Sequence, residues 1–331
     1  MKKTYCTLMS RRSALLCGVV GVAAMLPSLA LSQDGFPLKP IKFYVPFGAG
    51  SSSDITARVY AKVIGDLTGQ SVIVENRSGG DGIIGARAVL GEPADGYSIL
   101  FASNTVLSTN AAVRKSLPYD PLKDFEPISV LEVSYAALAV PASSKFRTFD
   151  DLVQFAAKNP GVLNHGAGSP TYTLWSEWLM RLLGVKVTNI PYKDSGEAAR
   201  AIAGGEVDFA VTAVNPLLPL VDSGRVRILL FTGEKRHPQL PNVPTVKEVG
   251  PKGYEALIYN AVAVRAGTPK LVRDRIVDLF RRASSTDLVK ERIKAQGHST
   301  FFSGPDEMHK FQVAEIARWK KLVSEAGLKF E

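Results

Sequence analysis

Two short stretches of the chain combine glycines with hydroxyl residues, and they are the strongest candidates for binding chemistry. The first is residues 47–54, Phe-Gly-Ala-Gly-Ser-Ser-Ser-Asp, and the second is residues 165–173, His-Gly-Ala-Gly-Ser-Pro-Thr-Tyr-Thr. Glycine leaves the main chain open to close approach. Serine caps helix starts, where N–H groups lack internal partners and the helix dipole is positive. Both stretches therefore indicate a site for a carboxylate or a phosphate.

Each stretch lies between a predicted strand and a predicted helix. Residues 41–45 are typical of a buried strand, and Ile55, Val59 and Val63 recur every four residues as the buried stripe of the next helix. An ordinary strand-to-helix turn has the same composition, so the first stretch alone leaves both interpretations open. Because the pattern recurs in the second half of the chain, two such turns could hold one anion from opposite sides.

Two nucleotide-binding motifs are incomplete in the first stretch, and this limits the kind of anion that it could bind. Ser53 occupies the third glycine position of a dinucleotide fingerprint, and no Gly-Lys-Ser/Thr follows as in a phosphate loop. A small anion is therefore favoured over a nucleotide. Polar residues after the predicted strands 98–102 and 207–212 are further candidates, because α/β sheets bind ligands at the carboxyl ends of strands. Alternatively, these polar residues form turns that cap the next helix and have no part in binding.

The candidate ligand-binding residues are Phe47, Gly48, Ala49, Gly50, Ser51, Ser52, Asp54, Ser103, Asn104, His165, Gly168, Ser169, Tyr172, Thr173 and Asn215. Two of them also have a plain structural interpretation. Asp54 suits a helix start, where its charge complements the dipole. His165 suits a structural role, although it could also line a cleft beside the second stretch.

Patterns for catalysis or metal binding do not occur in the sequence after its first 30 residues. Both cysteines, Cys6 and Cys17, precede that point, and no two of the four histidines have metal-ligand spacing. A Gly-x-Ser-x-Gly nucleophile motif is also missing. We expect no metal, no cofactor and no catalytic residues.

The first residues have the composition of an export signal. Two lysines and two arginines precede an apolar run over residues 14–31, with a small-residue cleavage site after Ala30 or, alternatively, Ser32. Arg11 and its neighbour also approach a twin-arginine signal, so both export routes stay open. The alternative is a membrane anchor, which Pro27 within the run disfavours. We expect a signal peptide of residues 1–30 and a periplasmic location.

The charge of the mature chain disfavours a nucleic-acid partner. Removing the four positive residues of the signal segment lowers the formal net charge from +9 to +5. Lysines and arginines are interspersed with acidic residues and form no basic block, which indicates a solvated surface with mild attraction for anions. No later apolar run has the length of a membrane span.

Strand-like and helix-like segments alternate after the signal, which predicts an α/β fold with largely parallel sheets. The length suits two domains. Two strand-like runs, 127–133 and 136–141, mark the first crossing between them, and the return is strand-like as well. We expect domain 1 to comprise residues 34–135 plus 260–331 and domain 2 residues 136–259, joined by a hinge of strands.

A series of short motifs extends along the whole mature chain. They are Val45-Pro-Phe47, Gly50-Ser-Ser-Ser-Asp54, Val74-Glu-Asn-Arg77, Asp95-Gly-Tyr97, Ile190-Pro-Tyr-Lys193 and Pro241-Asn-Val-Pro-Thr245. In order and number they resemble the Bug/TctC family, the solute receptors of tripartite tricarboxylate transporters. The chain departs from the family pattern at Ser51, where paired glycines are usual, and at Thr173, where a histidine is common.

This resemblance implies a two-lobed periplasmic binding protein fold, similar to type II, with a central cleft that closes on a small carboxylate. The loops at residues 47–54 and 166–173 would hold the ligand, partly through water. The protein would deliver the ligand to the membrane subunits of a transporter, without catalysis, and we expect it to be monomeric. Phe47, Tyr172 and Trp175 near the two loops suggest an aromatic acid such as a benzene dicarboxylate.

Two other functions stay open at this point. A sensory partner that presents its ligand to a membrane kinase would need the same cleft, so the sequence cannot separate it from a transport receptor. A secreted hydrolase of a carboxylated substrate is disfavoured by the missing nucleophile and metal motifs.

Overall fold

The computed structural model of the protein describes residues 35–254, 256–295 and 298–326. The predicted signal segment, residues 1–30, lies outside these ranges, as do both cysteines. No helix in the described ranges combines the length and the hydropathy that a membrane span requires.

Strands and helices alternate along the described chain, as the sequence predicts. The strands are β1 (Ile41–Val45), β2 (Val72–Asn76), β3 (Ser98–Ser103), β4 (Phe125–Pro141), β5 (Asn164–Ala167), β6 (Thr188–Pro191), β7 (Ala210–Ala213), β8 (Val226–Phe231), β9 (Leu257–Arg265) and β10 (Ser299–Thr300). The helices are α1 (Ser52–Thr68), α2 (Ile83–Gly91), α3 (Asn110–Val113), α4 (Phe149–Lys158), α5 (Pro170–Leu182), α6 (Ser195–Gly204), α7 (Leu218–Asp222), α8 (Val246–Val249), α9 (Lys270–Ser285), α10 (Asp287–Ala295) and α11 (Pro305–Ala326). A 3₁₀ turn at Gly80–Gly82 precedes α2, and a π-helical turn at Thr105–Thr109 precedes α3.

Helix α1 begins where the first glycine-containing stretch ends. Ser51 is its N-cap, and the Ser51 hydroxyl accepts a main-chain hydrogen bond from the first turn at 3.3 Å. The buried stripe of the helix is centred on Tyr60 and Ile64, which are at most 1% exposed. Ile55 and Val59, predicted to be in that stripe, are half-buried at its edge.

The largest sheet has the spatial strand order β10-β4-β9-β3-β1-β2, and β7 and β8 also pair with β4. Strand β1 is parallel to β2 and β3, and β5 is parallel to β6. Strand β9 is antiparallel to β3 and β4, and β4 is antiparallel to β7, β8 and β10. The prediction of largely parallel sheets is therefore wrong, because β4 and β9 run against most of their neighbours.

Strand β4 continues without a break through both halves of the structure. Up to Tyr135 it pairs with β9, and from Ala136 onward it pairs with β7 and β8. The sequence predicts two strands separated at Ser134, but Ser134 keeps its register with Ile258 of β9. Pairing with β9, which is distant in the sequence, therefore keeps β4 continuous despite the polar residue at position 134.

The change of partners along β4 divides the fold into two lobes. The first lobe is built on β1, β2, β3, β9, β10 and the first part of β4, and the second lobe on β5 to β8 and the second part of β4. In the first-lobe core the ring of Phe43 lies 5.7 Å from Phe101 and 5.6 Å from Phe280. In the second-lobe core Leu138 and Trp175 are completely buried.

The C-terminal helix α11 contacts both cores. Met308 packs in the first-lobe cluster that contains Tyr259. Trp319 packs in the second-lobe cluster, with its ring 6.1 Å from that of Trp178. Met308 and Trp319 are each at most 1% exposed. Helix α11 therefore joins the two lobes in addition to β4.

Truncation of Leu138 tests the importance of the continuous strand. This residue is fully buried and pairs with both β7 and β8. Leu138→Ala is expected to lower the free energy of unfolding by about 2–5 kcal/mol, because it removes buried methyl groups and leaves a cavity. Urea denaturation followed by circular dichroism measures the change.

Leu38→Ala is the matched control for this experiment. Leu38 is 74% exposed, so its truncation should change the free energy of unfolding by less than about 0.5 kcal/mol. Equal effects of the two substitutions would contradict the burial of β4 described above.

Candidate ligand-binding site

A cavity lies between the two lobes, where the two glycine-containing stretches face each other. It is narrow in this arrangement of the lobes, with ≈ 20 Å³ of free space for water-sized molecules. The residues that line it are Phe47, Ser51, Ser52, Ser53, Ser103, Thr105, Gly168, Ser169, Tyr172, Ser195 and Ile258. Eight of these eleven residues carry a hydroxyl group, and none carries a formal charge. The cavity therefore offers hydrogen bonds and aromatic contacts but no ion pair from its lining.

The first stretch, residues 47–54, connects β1 to α1 and forms the first-lobe wall. Gly50 has φ 83°, a conformation that favours glycine. A Cβ atom at Gly48 would lie 2.4 Å from Oδ2 of Asp194, so a side chain there would displace the Asp194 carboxylate. Asp54 does not line the cavity; its carboxylate accepts a hydrogen bond from the Gly50 N–H at 2.9 Å and so holds the loop.

Three consecutive serines in this stretch have three different roles. Ser51 caps α1. The Ser53 hydroxyl donates to Oδ1 of Asn260 at 2.6 Å. The Ser52 hydroxyl has no hydrogen-bond partner among the described residues, although Ser52 lines the cavity and is only 5% exposed. A buried hydroxyl without a partner costs about 1–3 kcal/mol, so Ser52 is the group best placed to donate to a ligand.

Beneath the cavity, Ser53 is connected to a buried carboxylate. Asn260, which accepts from Ser53, donates to Oε1 of Glu132 at 2.7 Å, and Thr56 donates to the same oxygen at 2.7 Å. His298 Nδ1 lies 3.4 Å from the other carboxylate oxygen. Burial raises the pKa of Glu132, but the charge of His298 and the hydrogen bonds outweigh that effect, and the pKa is lowered overall. The network fixes the side chain of Asn260 behind the cavity wall.

The second stretch, residues 165–173, connects β5 to α5. Pro170 is the first residue of α5, and Ser169 precedes it without a side-chain capping bond. Its hydroxyl instead accepts a hydrogen bond from Thr105 at 3.2 Å, and Thr105 Oγ1 also lies 2.9 Å from Thr171 Oγ1. Because Thr105 follows β3 of the first lobe, these hydroxyl contacts connect the two lobes.

A third loop, at Asp194 and Ser195, completes the second-lobe wall, and its residues are not among the predicted site residues. Asp194 caps α6 by accepting from the Glu197 N–H at 2.8 Å, and its other oxygen accepts from the Gly48 N–H at 3.1 Å. The Ser195 hydroxyl accepts from the Ser52 N–H at 3.4 Å. The sequence Asp-Ser-Gly-Glu is typical of a helix start. That signal predicts the helix but not its position opposite the first stretch.

The structure brings seven of the fifteen candidate residues into the cavity wall. They are Phe47, Ser51, Ser52, Ser103, Gly168, Ser169 and Tyr172. The loop beside them contains Gly48, Ala49 and Gly50. Five candidates do not line the cavity: Asp54, Asn104, His165, Thr173 and Asn215. Thr105, one of the polar residues predicted to follow the strand 98–102, also lines the cavity, whereas the lining residues Ser53, Ser195 and Ile258 were not predicted.

His165 is a structural residue of the second lobe. It is completely buried in β5, where its Nε2 accepts from the Val211 N–H at 2.9 Å and its Nδ1 lies 2.7 Å from Oδ1 of Asn189. Burial lowers the pKa of His165 to about 4, so the ring is neutral at neutral pH. Trp175 is likewise 0% exposed and belongs to the core.

Two aromatic rings line the cavity, Phe47 from the first lobe and Tyr172 from the second. Burial raises the pKa of the Tyr172 hydroxyl well above its ordinary value, so this group is neutral. Within the described ranges, no group of three or more His, Cys, Asp or Glu residues is arranged to hold a metal ion. The arrangement can therefore bind a ligand through hydroxyl groups, main-chain N–H groups and apolar contacts.

Comparison with known proteins reveals a family relation over most of the chain. A family model described as the tripartite tricarboxylate transporter family receptor matches residues 56–328. The chain is 33% identical over 321 residues to a UPF0065 protein in the tcbD-tcbE intergenic region of Pseudomonas sp. strain P51, covering 96% of this chain and 95% of that protein.

Solved structures have the same fold. The R. palustris protein Rpa4515, solved with adipate, has a TM-score of 0.84 and 31% identity, covering 89% of this chain and 99% of that chain. The periplasmic binding protein BugD has a TM-score of 0.84 and 28% identity, covering 89% of this chain and 100% of that chain. These similarities confirm the prediction of a two-lobed α/β fold of the periplasmic binding protein kind.

The pH dependence of stability tests the neutral, buried state of His165. Between its ordinary pKa of 6.5 and about 4, the unfolded chain binds a proton at this residue that the folded chain does not. Stability should therefore fall as the pH falls through that range, by about 2 kcal/mol between roughly pH 7 and pH 5. Urea unfolding at the two pH values measures this loss.

His165→Gln removes the titrating group and should flatten the pH dependence by that amount, whatever its effect on stability at neutral pH. His309→Gln is the matched control, because His309 is exposed on α11 and outside the second-lobe core. A wild-type pH dependence in the His165→Gln variant would show that the folded protein does not keep this ring neutral.

Proposed function

Because the chain belongs to the tripartite tricarboxylate transporter receptor family, we propose that it captures a small carboxylate between its two lobes and delivers it to the membrane subunits of a transporter. The ligand leaves the receptor chemically unchanged. We further propose that the receptor acts as a monomer in the periplasm, after export directed by residues 1–30.

The observation that carries this proposal is the Ser52 hydroxyl. It is buried in the inter-lobe cavity, in the first turn of α1, and no residue that the structure describes hydrogen-bonds to it. Helix N–H groups and the helix dipole favour negative charge at that position. A carboxylate oxygen of the ligand would accept a charge-assisted hydrogen bond from this hydroxyl.

Apolar contacts in the same cavity suit the hydrocarbon part of such a ligand. Phe47 and Tyr172 supply aromatic rings, and Ile258 supplies an aliphatic surface. These rings support aromatic acids, including benzene dicarboxylates, as ligands. The adipate named with the R. palustris relative supports aliphatic acids. Trp175 is buried in the core and takes no part in this contact.

Ligand binding would stabilise the contact between the lobes. Hydrogen bonds from Gly48 to Asp194 and from Thr105 to Ser169 already connect the two sides of the cavity. A ligand that bonds to both sides favours the arrangement in which they meet, by as much as its affinities for the two arrangements differ. A transporter could recognise the liganded receptor by the surface that both lobes then form together.

Isothermal titration calorimetry against paired small acids tests the proposal. The panel contains hexanoate with adipate, and benzoate with benzene-1,4-dicarboxylate. We expect one-to-one binding of at least one of these acids and its unchanged recovery in chromatography. Folded protein that releases no heat with any carboxylate would contradict the binding function, and turnover of a bound acid would contradict the receptor role.

Ser52→Ala tests the proposed contact itself. The substitution should weaken carboxylate binding about ten- to a hundredfold, since a hydrogen bond to a charged group contributes about 1.5–3 kcal/mol. It should not lower stability, because the hydroxyl has no partner among the described residues. Calorimetry and urea denaturation measure the two effects.

Ser176→Ala is the matched control. Its hydroxyl is also buried without a partner among the described residues, but Ser176 lies in α5 outside the cavity lining. This variant should bind like the wild type. Unchanged affinity in both variants would exclude Ser52 from the ligand contacts.

A further inference from the structure

The second lobe contributes a carboxylate of the protein itself to the first-lobe anion site. Asp194 Oδ2 accepts a hydrogen bond from the Gly48 N–H at 3.1 Å, across the boundary between the lobes. Asp194 Oδ1 separately caps α6 by accepting from the Glu197 N–H at 2.8 Å. An N-cap needs only one side-chain oxygen. The second oxygen therefore makes a contact that capping does not require.

The chain is closely packed around this carboxylate. A Cβ atom would lie 2.4 Å from Asp194 Oδ2 if built on Gly48, and 2.5 Å from the Asp194 carbonyl oxygen if built on Gly168. A Cβ on Gly196 would lie 3.1 Å from the carbonyl oxygen of Gly50. Asp194 is 6% exposed. The close approach of Asp194 to the first-lobe loop therefore depends on glycines on both sides.

No cation neutralises Asp194 among the contacts of the described residues. Its carboxylate accepts hydrogen bonds there from the main-chain N–H groups of Gly48 and Glu197. The adjoining cavity is lined by Ser195, the next residue in the chain, and its lining contains no Lys, Arg or His. In a poorly solvated cleft, every negative charge that enters near this carboxylate is repelled, so a ligand with two carboxylates is opposed more than a ligand with one.

We propose that Asp194 is an internal carboxylate that fills one anion position of the first-lobe loop and leaves the position at Ser52 for the ligand. The site then accepts one ligand carboxylate and disfavours a second, so the receptor prefers a monocarboxylate to the dicarboxylate with the same skeleton. This specificity rests on the proposed function. The Ser52 hydroxyl, buried and without a hydrogen bond from any described residue, is the independent observation for the position that remains.

Calorimetry with the paired acids measures this preference in the wild-type protein. Hexanoate should bind at least about tenfold more tightly than adipate, and benzoate at least about tenfold more tightly than benzene-1,4-dicarboxylate. Asp194→Asn removes the charge at nearly constant size. Asp194→Ser keeps a helix-capping hydroxyl and removes the oxygen that reaches Gly48. Both variants should reduce the preference to within about twofold, chiefly through tighter binding of the dicarboxylates.

Asp150→Asn is the matched control, because Asp150 is exposed on α4 and its replacement changes the net charge equally. It should keep the wild-type preference. A wild-type chain that binds both members of a pair equally, or prefers the dicarboxylate, overturns the role of Asp194 and leaves the proposed function intact. A preference for the monocarboxylate that persists in the folded Asp194 variants also overturns the role of Asp194 and leaves the proposed function intact. A wild-type chain that binds neither member of either pair overturns the proposed function itself.

Discussion

The main-chain pairing of β4 with β9 is the constraint on which the rest of the structure depends. Strand β4 is 17 residues long and exchanges its partner β9 for β7 and β8 at Ala136. The two lobes are therefore continuations of one strand, and their loops are held opposite each other by backbone hydrogen bonds. Since buried backbone groups are costly to leave unpaired, the lobes can move by bending these strands far more easily than by separating them.

The lining of the cavity formed in this way contains no charged residue. Its polar groups are hydroxyls, together with N–H groups at the start of α1, and the buried network from Ser53 to Glu132 keeps one wall in place. Oriented dipoles of this kind stabilise an anion only in the positions at which they point. Selectivity among acids should accordingly depend on the placement of each carboxylate oxygen and on the fixed charge of Asp194.

Local features of the sequence predict the individual loops and helix caps of this site, but they do not predict how these elements come together in the fold. The cap at Ser51 and the strand-turn-helix units follow from residues that are adjacent in the chain. The family resemblance rests on similar local motifs and is confirmed by the family model over residues 56–328. The continuity of β4 could not be predicted, because Ser134 and its partner Ile258 are far apart in the chain.

Side-chain environment was the second limit of prediction. His165 and Tyr172 are both polar aromatic residues of the second stretch. The His165 ring hydrogen-bonds with β7 and with Asn189, whereas Tyr172 lines the cavity. Ile258 is an apolar residue of β9 and has no polar group that would mark it as a binding residue. It lines the cavity only because of where β9 lies in the fold. Asp194 is a normal helix cap by sequence, and its contact with Gly48 arises only from tertiary packing.

Helix α11 has a mechanical consequence for the pair of lobes. Its Met308 end is anchored in one core and its Trp319 end in the other, so the helix spans the hinge as a stiff connection in addition to the strands. A wide rotation of one lobe relative to the other would have to bend α11 or pull Trp319 out of the second-lobe core. Exposing a side chain of that size to water costs roughly 4–6 kcal/mol. The angular range between the lobes should therefore be narrow, and a tryptophan outside the cavity lining should set its limit.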